Sequence, residues 1–180
     1  MTEISGEAKR RYSVQVYGPR TELAGVQWVD VRRLTDDGGS FTELGRLLGG
    51  GALDALREFT PRQVNYSEIE PGVIKAFHLH ARQTDVWYVP PSDRLLMVLA
   101  DVRKGSPTEG QHARFMLGAG ASRLVRIPPG VAHGVRNLGT ATGRVIYFTD
   151  LHFSSAPAEC DEGRLPWDYL GPEIWEPVKG

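Results

Sequence analysis

The chain has 180 residues, an apolar content of 41% and a formal net charge of −1. This length is typical of one domain, and a charge near zero provides no basic field to hold nucleic acid. There is no apolar run of the roughly 18 residues that a membrane span requires, no secretory signal at the start, and only one cysteine. We therefore expect a cytoplasmic protein with neither nucleic-acid nor membrane partners.

The first third of the chain contains short alternating runs of apolar and polar residues. In residues 1–47, the runs Tyr12–Tyr17 and Val26–Val31 alternate with period two, which predicts strands. Residues 48–62 follow, and their apolar run Ala52–Phe59 fits either one short helix or an irregular loop.

Strand patterns then recur with Pro- and Gly-rich turns between them over residues 63–153. The clearest are Arg94–Val102 and Gly143–Phe148. Many short strands at regular spacing are typical of an all-β barrel or sandwich. Residues 154–180 contain two tryptophans, so we expect them to pack as an extended or short helical cover of a single domain.

Four residues in two segments of this region carry groups that can do chemistry. His78 and His80 are two residues apart and therefore point to the same face of a strand. Asp85 follows five residues later, and His133 follows the turn Pro128–Gly130 in a distant segment. If these faces line the inside of a barrel, the set forms either a metal site or the acid–base apparatus of a pocket.

Several motifs are specific when their order and spacing are taken together: QVNYS at 63–67, GVIKAFH at 72–78, DVRKGSPT at 101–108 and IPPGVAHG at 127–134. Through them the chain resembles the dTDP-4-dehydrorhamnose 3,5-epimerase family, a family of cupins, over about residues 26–176. The resemblance implies an all-β cupin double-stranded β-helix, or jelly-roll, barrel with an N-terminal strand extension. It also implies a homodimer, because cupins of this family exchange N-terminal strands.

The resemblance further implies a mechanism and a substrate. Those enzymes act on a 4-keto sugar attached to a nucleoside diphosphate, and a histidine paired with an aspartate removes the proton beside the ketone. A tyrosine returns a proton from the other face. In this chain His78 matches the base, Asp168 the orienting carboxylate and Tyr147 the acid. The substrate contacts implied by the same comparison are Glu43, Gln63, Asn65, Lys75, His133 and Phe153.

The chain also departs from the family pattern. Gly38 and Lys75 stand where the family usually has arginines, and Asp85 stands where it has a lysine. His80 replaces a glutamine, and Phe153 replaces a second tyrosine. Several of the lost groups are cations, and lysine lacks the guanidinium fork, so we expect weaker binding of a diphosphate.

Three functions follow from these observations. The leading prediction is a carbohydrate isomerase or epimerase that needs no cofactor and acts beside the ketone of a nucleotide-linked or otherwise anionic keto sugar. The second is a metal-dependent cupin, an oxygenase or metal-assisted isomerase, with divalent Fe, Mn, Ni, Zn or Cu held by His78, His80, Asp85 and His133. The third is a cupin that binds a small molecule without chemistry.

Overall fold

The computed structural model describes residues 3–14 and 21–178, and β-strands dominate these ranges. A short helix, α1 (Gly6–Arg11), comes first, and a 3-10 helix (Pro172–Trp175) comes last. The strands between them are β1 (Gln27–Asp30), β2 (Arg33–Asp36), β3 (Gly39–Thr42), β4 (Gln63–Ile69), β5 (Ile74–His80), β6 (Asp85–Tyr88), β7 (Arg94–Asp101), β8 (His112–Gly118), β9 (Arg123–Ile127), β10 (Val131–Asn137), β11 (Gly143–Thr149) and β12 (Glu162–Arg164).

Ten of these strands form two five-stranded antiparallel sheets, and β2 and β3 form a separate hairpin. The first sheet has the order β1-β9-β6-β11-β4, and the second has the order β12-β5-β10-β7-β8. From β4 to β7, and again from β8 to β11, successive strands alternate between the sheets. This is the jelly-roll arrangement of a cupin barrel, so the predicted fold class is confirmed.

The space between the sheets is partly filled by hydrocarbon side chains. Leu95, Met97 and Leu99 alternate along β7 and point inward, where they pack with Trp87 and Val125 of the first sheet. All five side chains are buried. This apolar half of the interior supplies the burial that stabilises the barrel, and it leaves the other half for the polar residues of β5, β6 and β10.

The outer face of the first sheet is covered by the segment after β3. Leu53, Leu56 and Phe59 are buried there against Val86 and Leu124. The Ala52–Phe59 run contains turns and isolated β-bridges and no helix, so it is the irregular loop of the two predicted alternatives.

The outer face of the second sheet is covered by the C-terminal segment. Trp175 is fully buried, and its ring centroid lies 5.3 Å from that of Phe77 on β5. The indole Nε1–H donates to the carbonyl of Trp167 at 2.8 Å, which satisfies the polar end of the buried ring. This packing supports the back of the strand that carries His78 and His80.

The N-terminal segment differs from the prediction. A strand was predicted at Tyr12–Tyr17, but residues 12–14 are not in a strand, and residues 15–17 lie outside the described ranges. Helix α1 precedes this segment; its N-cap Ser5 accepts a hydrogen bond from the Ala8 amide, and basic residues occupy its last turn. Within the described residues, no helix is long and apolar enough to cross a membrane.

Candidate active site

Two histidines from remote parts of the sequence meet because β5 and β10 are neighbours in the second sheet. His133 lies directly opposite His78 in the register, and the ladder shifts between His133 and Val135. The strands approach closely beside this pair: a Cβ built on Gly134 would collide with the side chain of Ala76. Glycine at position 134 therefore allows the backbone contact that aligns the two imidazoles.

A cavity of about 470 Å³ opens between the two sheets at this point. This volume lies in the range of small-molecule sites. Its walls carry ionisable and aromatic groups from both sheets: His78, His80, Asp85, Trp87, Tyr147, Glu162 and Arg164. The cavity thus brings residues of β5, β6, β11 and β12 around one space.

His78 is held by a carboxylate and a guanidinium. Its Nδ1 lies 2.7 Å from Glu162 Oε1, and its Nε2 lies 2.8 Å from Arg164 Nη1. Since a guanidinium only donates hydrogen bonds, Nε2 is the acceptor, and Nδ1–H donates to Glu162. Burial lowers the pKa of His78 and outweighs the opposing effect of Glu162. The imidazole is therefore neutral, with its basic nitrogen at the cavity.

Tyr147 is half-buried on β11 and lines the same cavity from the first sheet. Its ring lies 5.7 Å from that of Trp87, measured between centroids. Burial raises the pKa of the Tyr147 hydroxyl, and the negative charges of Asp85 and Glu162 raise it further. The hydroxyl therefore keeps its proton and is suited to act as an acid.

The carboxylate beside His78 is not the one expected. Asp168 is exposed and has no side-chain hydrogen bond to the described residues, so the prediction that it orients His78 is corrected. The physical reason is register: β12 pairs with β5 so that Glu162 lies opposite His80 and Arg164 lies opposite His78. Asp168 follows the end of that strand.

Sequence reasoning missed Glu162, Arg164 and Gln83 as cavity residues. The first two are separated by one glycine and share one face of a strand, which is a usable signal. It is weak because a three-residue strand has too little pattern to recognise. The hydrogen bond from His78 lowers the pKa of Glu162, so this carboxylate is ionised.

Four of the predicted substrate-binding residues lie at cavities. Gln63, Asn65 and Phe153 line a smaller cavity of about 200 Å³, which shares Tyr147 and Glu162 with the larger one. Lys75 lines the larger cavity, and its Nζ donates to the Glu68 carbonyl at 2.7 Å. The shared residues show that the two cavities adjoin.

The other two predicted substrate contacts are placed elsewhere. Glu43 is exposed and forms an ion pair with Arg46 at 3.0 Å, so within a single chain it does not reach the cavity. His133 is buried behind the cavity wall, with ring centroids 5.8 Å from His78 and 5.6 Å from His80. It lies beneath these rings and does not line the cavity, so its substrate contact stays a prediction.

Three of the four predicted metal ligands come together. The donor atoms of His80, Asp85 and His133 lie within 4.8 Å of one another, whereas both nitrogens of His78 are engaged by its own partners. The structure thus groups three of the four predicted ligands and leaves His78 outside the group.

Comparison with known proteins agrees with this architecture. The family model of dTDP-4-dehydrorhamnose 3,5-epimerase matches residues 20–168, and the chain belongs to this family. The spore coat polysaccharide biosynthesis protein SpsL of Bacillus subtilis is 39% identical over 146 residues, which cover 81% of this chain and 91% of that protein.

Solved structures give the same result. The dTDP sugar isomerase of Desulfovibrio desulfuricans superposes with a TM-score of 0.71 at 29% identity, covering 82% of this chain and 88% of the other. The dTDP-4-dehydrorhamnose 3,5-epimerase of Bacillus anthracis gives 0.69 at 27% identity, covering 89% of each. The predicted family is thus confirmed, and with it the prediction of an isomerase-type enzyme that acts on a carbohydrate.

Proposed function

We propose that this enzyme epimerises a nucleotide-linked keto sugar, with His78 as the base and Tyr147 as the acid. The observation that carries the proposal is their placement on opposite walls of one cavity, His78 on the second sheet and Tyr147 on the first. A proton removed on one face of a sugar ring and returned on the other inverts that carbon. Two side chains facing each other across the ring are the arrangement this reaction needs.

His78 is prepared for proton removal by its hydrogen bond to Glu162. The carboxylate accepts a hydrogen bond from Nδ1–H, which makes Nε2 the nitrogen that takes a proton, and it then stabilises the imidazolium that forms. The ketone makes the adjacent C–H acidic, because the electron pair left on carbon is delocalised as an enolate.

Arg164 adds a movable positive charge to this step. In the free enzyme it donates to His78 Nε2, so it must release this nitrogen before the base can act. Its side chain is 55% exposed, which leaves it room to turn. We expect the released guanidinium to donate to the ketone oxygen and stabilise the enolate.

Tyr147 completes the reaction by giving its hydroxyl proton to the enolate carbon. The tyrosinate and the His78 imidazolium then return to their starting states by proton exchange with solvent. Both proton transfers use side chains alone, so the reaction as proposed requires no cofactor.

The substrate extends from the larger into the smaller cavity. We assign the keto sugar to the space around His78 and the nucleotide to the space lined by Gln63, Asn65 and Phe153. The structure of the Bacillus anthracis relative has TDP and PPi bound, which supports a nucleoside diphosphate substrate. Lys75 is then the cation available for an anionic group of the substrate.

We also propose a cytoplasmic homodimer. The β2–β3 hairpin exposes Leu34 and Phe41, and strand β4 at the edge of the first sheet exposes Val64 and Tyr66. Apolar side chains on a sheet edge are suited to pairing with a second copy. In a dimer that exchanges the hairpin, Glu43 would lie near the cavity of the other copy. Light scattering coupled to gel filtration tests this directly.

Solvent deuterium tests the reaction itself. The enzyme is incubated in D₂O with a dTDP-linked 4-keto sugar, and mass spectrometry and NMR follow deuterium at the carbons beside the ketone. We expect deuterium in an inverted product, and no deuterium with His78→Asn. No incorporation across dTDP-, UDP- and GDP-linked keto sugars, by folded protein, would refute the proposal.

A further inference from the structure

We infer that His80, Asp85 and His133 form a binding site for one divalent transition-metal ion in the wall of the barrel. Asp85 Oδ2 lies 3.4 Å from His133 Nε2 and 4.0 Å from His80 Nε2. The three side chains are 2–6% exposed. An ion at about 2.0–2.2 Å from each donor atom requires only small movements of these side chains.

The hydrogen bonds of the two imidazoles fix which nitrogen faces the carboxylate. His80 Nδ1 lies 3.0 Å from the Asp161 carbonyl, and His133 Nδ1 lies 3.1 Å from the Val131 carbonyl. A carbonyl only accepts, so each Nδ1 carries a proton. In a ring whose single proton is on Nδ1, the lone pair of Nε2 faces Asp85. Histidines that bind metals are held in this way by backbone carbonyls.

His133 provides a second, independent indication. Its Nε2 is buried and has no hydrogen-bond partner among the described residues. Although Asp85 Oδ2 is 3.4 Å away, the pair lacks hydrogen-bond geometry. An unpartnered nitrogen costs free energy in a buried site, and a lone pair facing a carboxylate costs more. A cation between the two removes both costs.

Asp85 is oriented for this role by two donors. Trp87 Nε1–H donates to Oδ2 at 2.9 Å, and the Gln83 amide donates to Oδ1 at 2.7 Å. Each carboxylate oxygen still has a lone pair available. The Gln83 amide also lies 3.4 Å from His80 Nε2 and lines the cavity beside His80 and Asp85. Rotation of this amide would present its oxygen as a fourth ligand.

The donor set defines the class of ion. Two imidazoles and one carboxylate suit Zn²⁺, Co²⁺, Ni²⁺, Fe²⁺ or Mn²⁺, whereas Mg²⁺ and Ca²⁺ prefer oxygen ligands alone. A proton on His133 is the competing explanation, since it would form an ion pair with Asp85. That proton would leave His80 outside the ion pair, with its Nε2 4.0 Å from the carboxylate and 3.4 Å from the Gln83 amide, whereas a metal ion engages both rings.

The inference does not depend on the proposed epimerase reaction. His78 is engaged by Glu162 and Arg164 and stays outside the ligand set. The test therefore measures metal binding, with activity recorded separately.

The test is a titration of the full chain after removal of metals with a chelator and dialysis. Zn²⁺ or Co²⁺ is added as the chloride, binding is followed by calorimetry, and elemental analysis gives the stoichiometry. We expect about one ion per chain and a higher Tm with metal. Asp85→Asn should weaken binding by more than about 100-fold, which exceeds the effect of losing an orienting residue.

Two controls separate this site from other histidines. His112 and His152 are exposed, so a variant with both replaced by Gln should still bind one ion. His78→Asn should also bind one ion. Loss of binding in His78→Asn, with the fold intact by circular dichroism, would contradict the three-residue set.

A second ligand variant keeps the test decisive if Asp85→Asn does not fold. His80→Asn removes one donor and should lower the affinity in the same way. The inference is overturned if metal-free wild type binds no ion, if Asp85→Asn and His80→Asn both bind as wild type does, or if nitrogen NMR of wild type shows a His133 imidazolium when metal is present.

Discussion

The hydrogen bond between His78 and Glu162 should carry a measurable part of catalysis. Its length is 2.7 Å, and the two side chains are 23% and 28% exposed, so solvent screens the pair only in part. A hydrogen bond to a charged group contributes about 1.5–3 kcal/mol. If Glu162→Gln removes this contribution from the transition state, kcat should fall roughly 10- to 150-fold.

The measurement is initial-rate epimerisation of a keto sugar nucleotide in parallel with deuterium exchange, with the Tm recorded for each variant. Glu159→Gln is the matched control, because Glu159 is an exposed carboxylate on the same segment that contacts Ser154. Asp168→Asn should also retain near wild-type activity, because Asp168 is exposed and away from His78. A large loss in Asp168→Asn with little change in Glu162→Gln would refute the assignment.

Four further outcomes are expected. Tyr147→Phe should lower inversion by about 100-fold or more while His78 still exchanges the substrate proton, which NMR detects as deuterium without epimerisation. Asp101→Asn should cost about 3 kcal/mol in urea unfolding, because buried Asp101 accepts hydrogen bonds from Arg103. Arg103 holds the pKa of Asp101 well below its ordinary value. The stabilisation by the Asp101 carboxylate is therefore fully present above the pKa that Asp101 has in the unfolded chain, and it is lost as the pH falls toward the lower pKa of Asp101 in the folded protein. A wild-type free energy of unfolding that does not change with pH below pH 4 would contradict this. Trp175→Ala should cost about 3–5 kcal/mol through the cavity left against Phe77, and a smaller loss would show that the C-terminal cover repacks.

From the sequence alone, His78 was predicted as the catalytic base and, in the alternative, as a metal ligand. His78 and His80 lie on the same face of β5, and spacing alone gives no reason to separate them. The structure separates them by their partners: His78 faces Glu162 and Arg164, and His80 faces Asp161 and Asp85. One strand therefore supplies both the proposed base and one of the proposed metal ligands.

Strand positions were predictable where the local pattern is long. Arg94–Val102 and Gly143–Phe148 were predicted as strands, and β7 and β11 occupy nearly the same residues. The pattern of β7 is strong because both of its faces are buried, one inside the barrel and one under the C-terminal cover. Helix α1 was missed because it buries no residue and so leaves no apolar periodicity.

The sequence by itself determined the family, the all-β class and the position of His78, since motifs and strand alternation are local properties of the chain. Only the tertiary structure decided which carboxylate meets His78 and which three residues form the proposed metal site. Those contacts depend on the pairing of β12 with β5 and of β10 with β5, and strand pairing between residues more than 50 positions apart is set by packing of the whole barrel. A local pattern carries little information about such register, because a shift of one residue reverses every side chain.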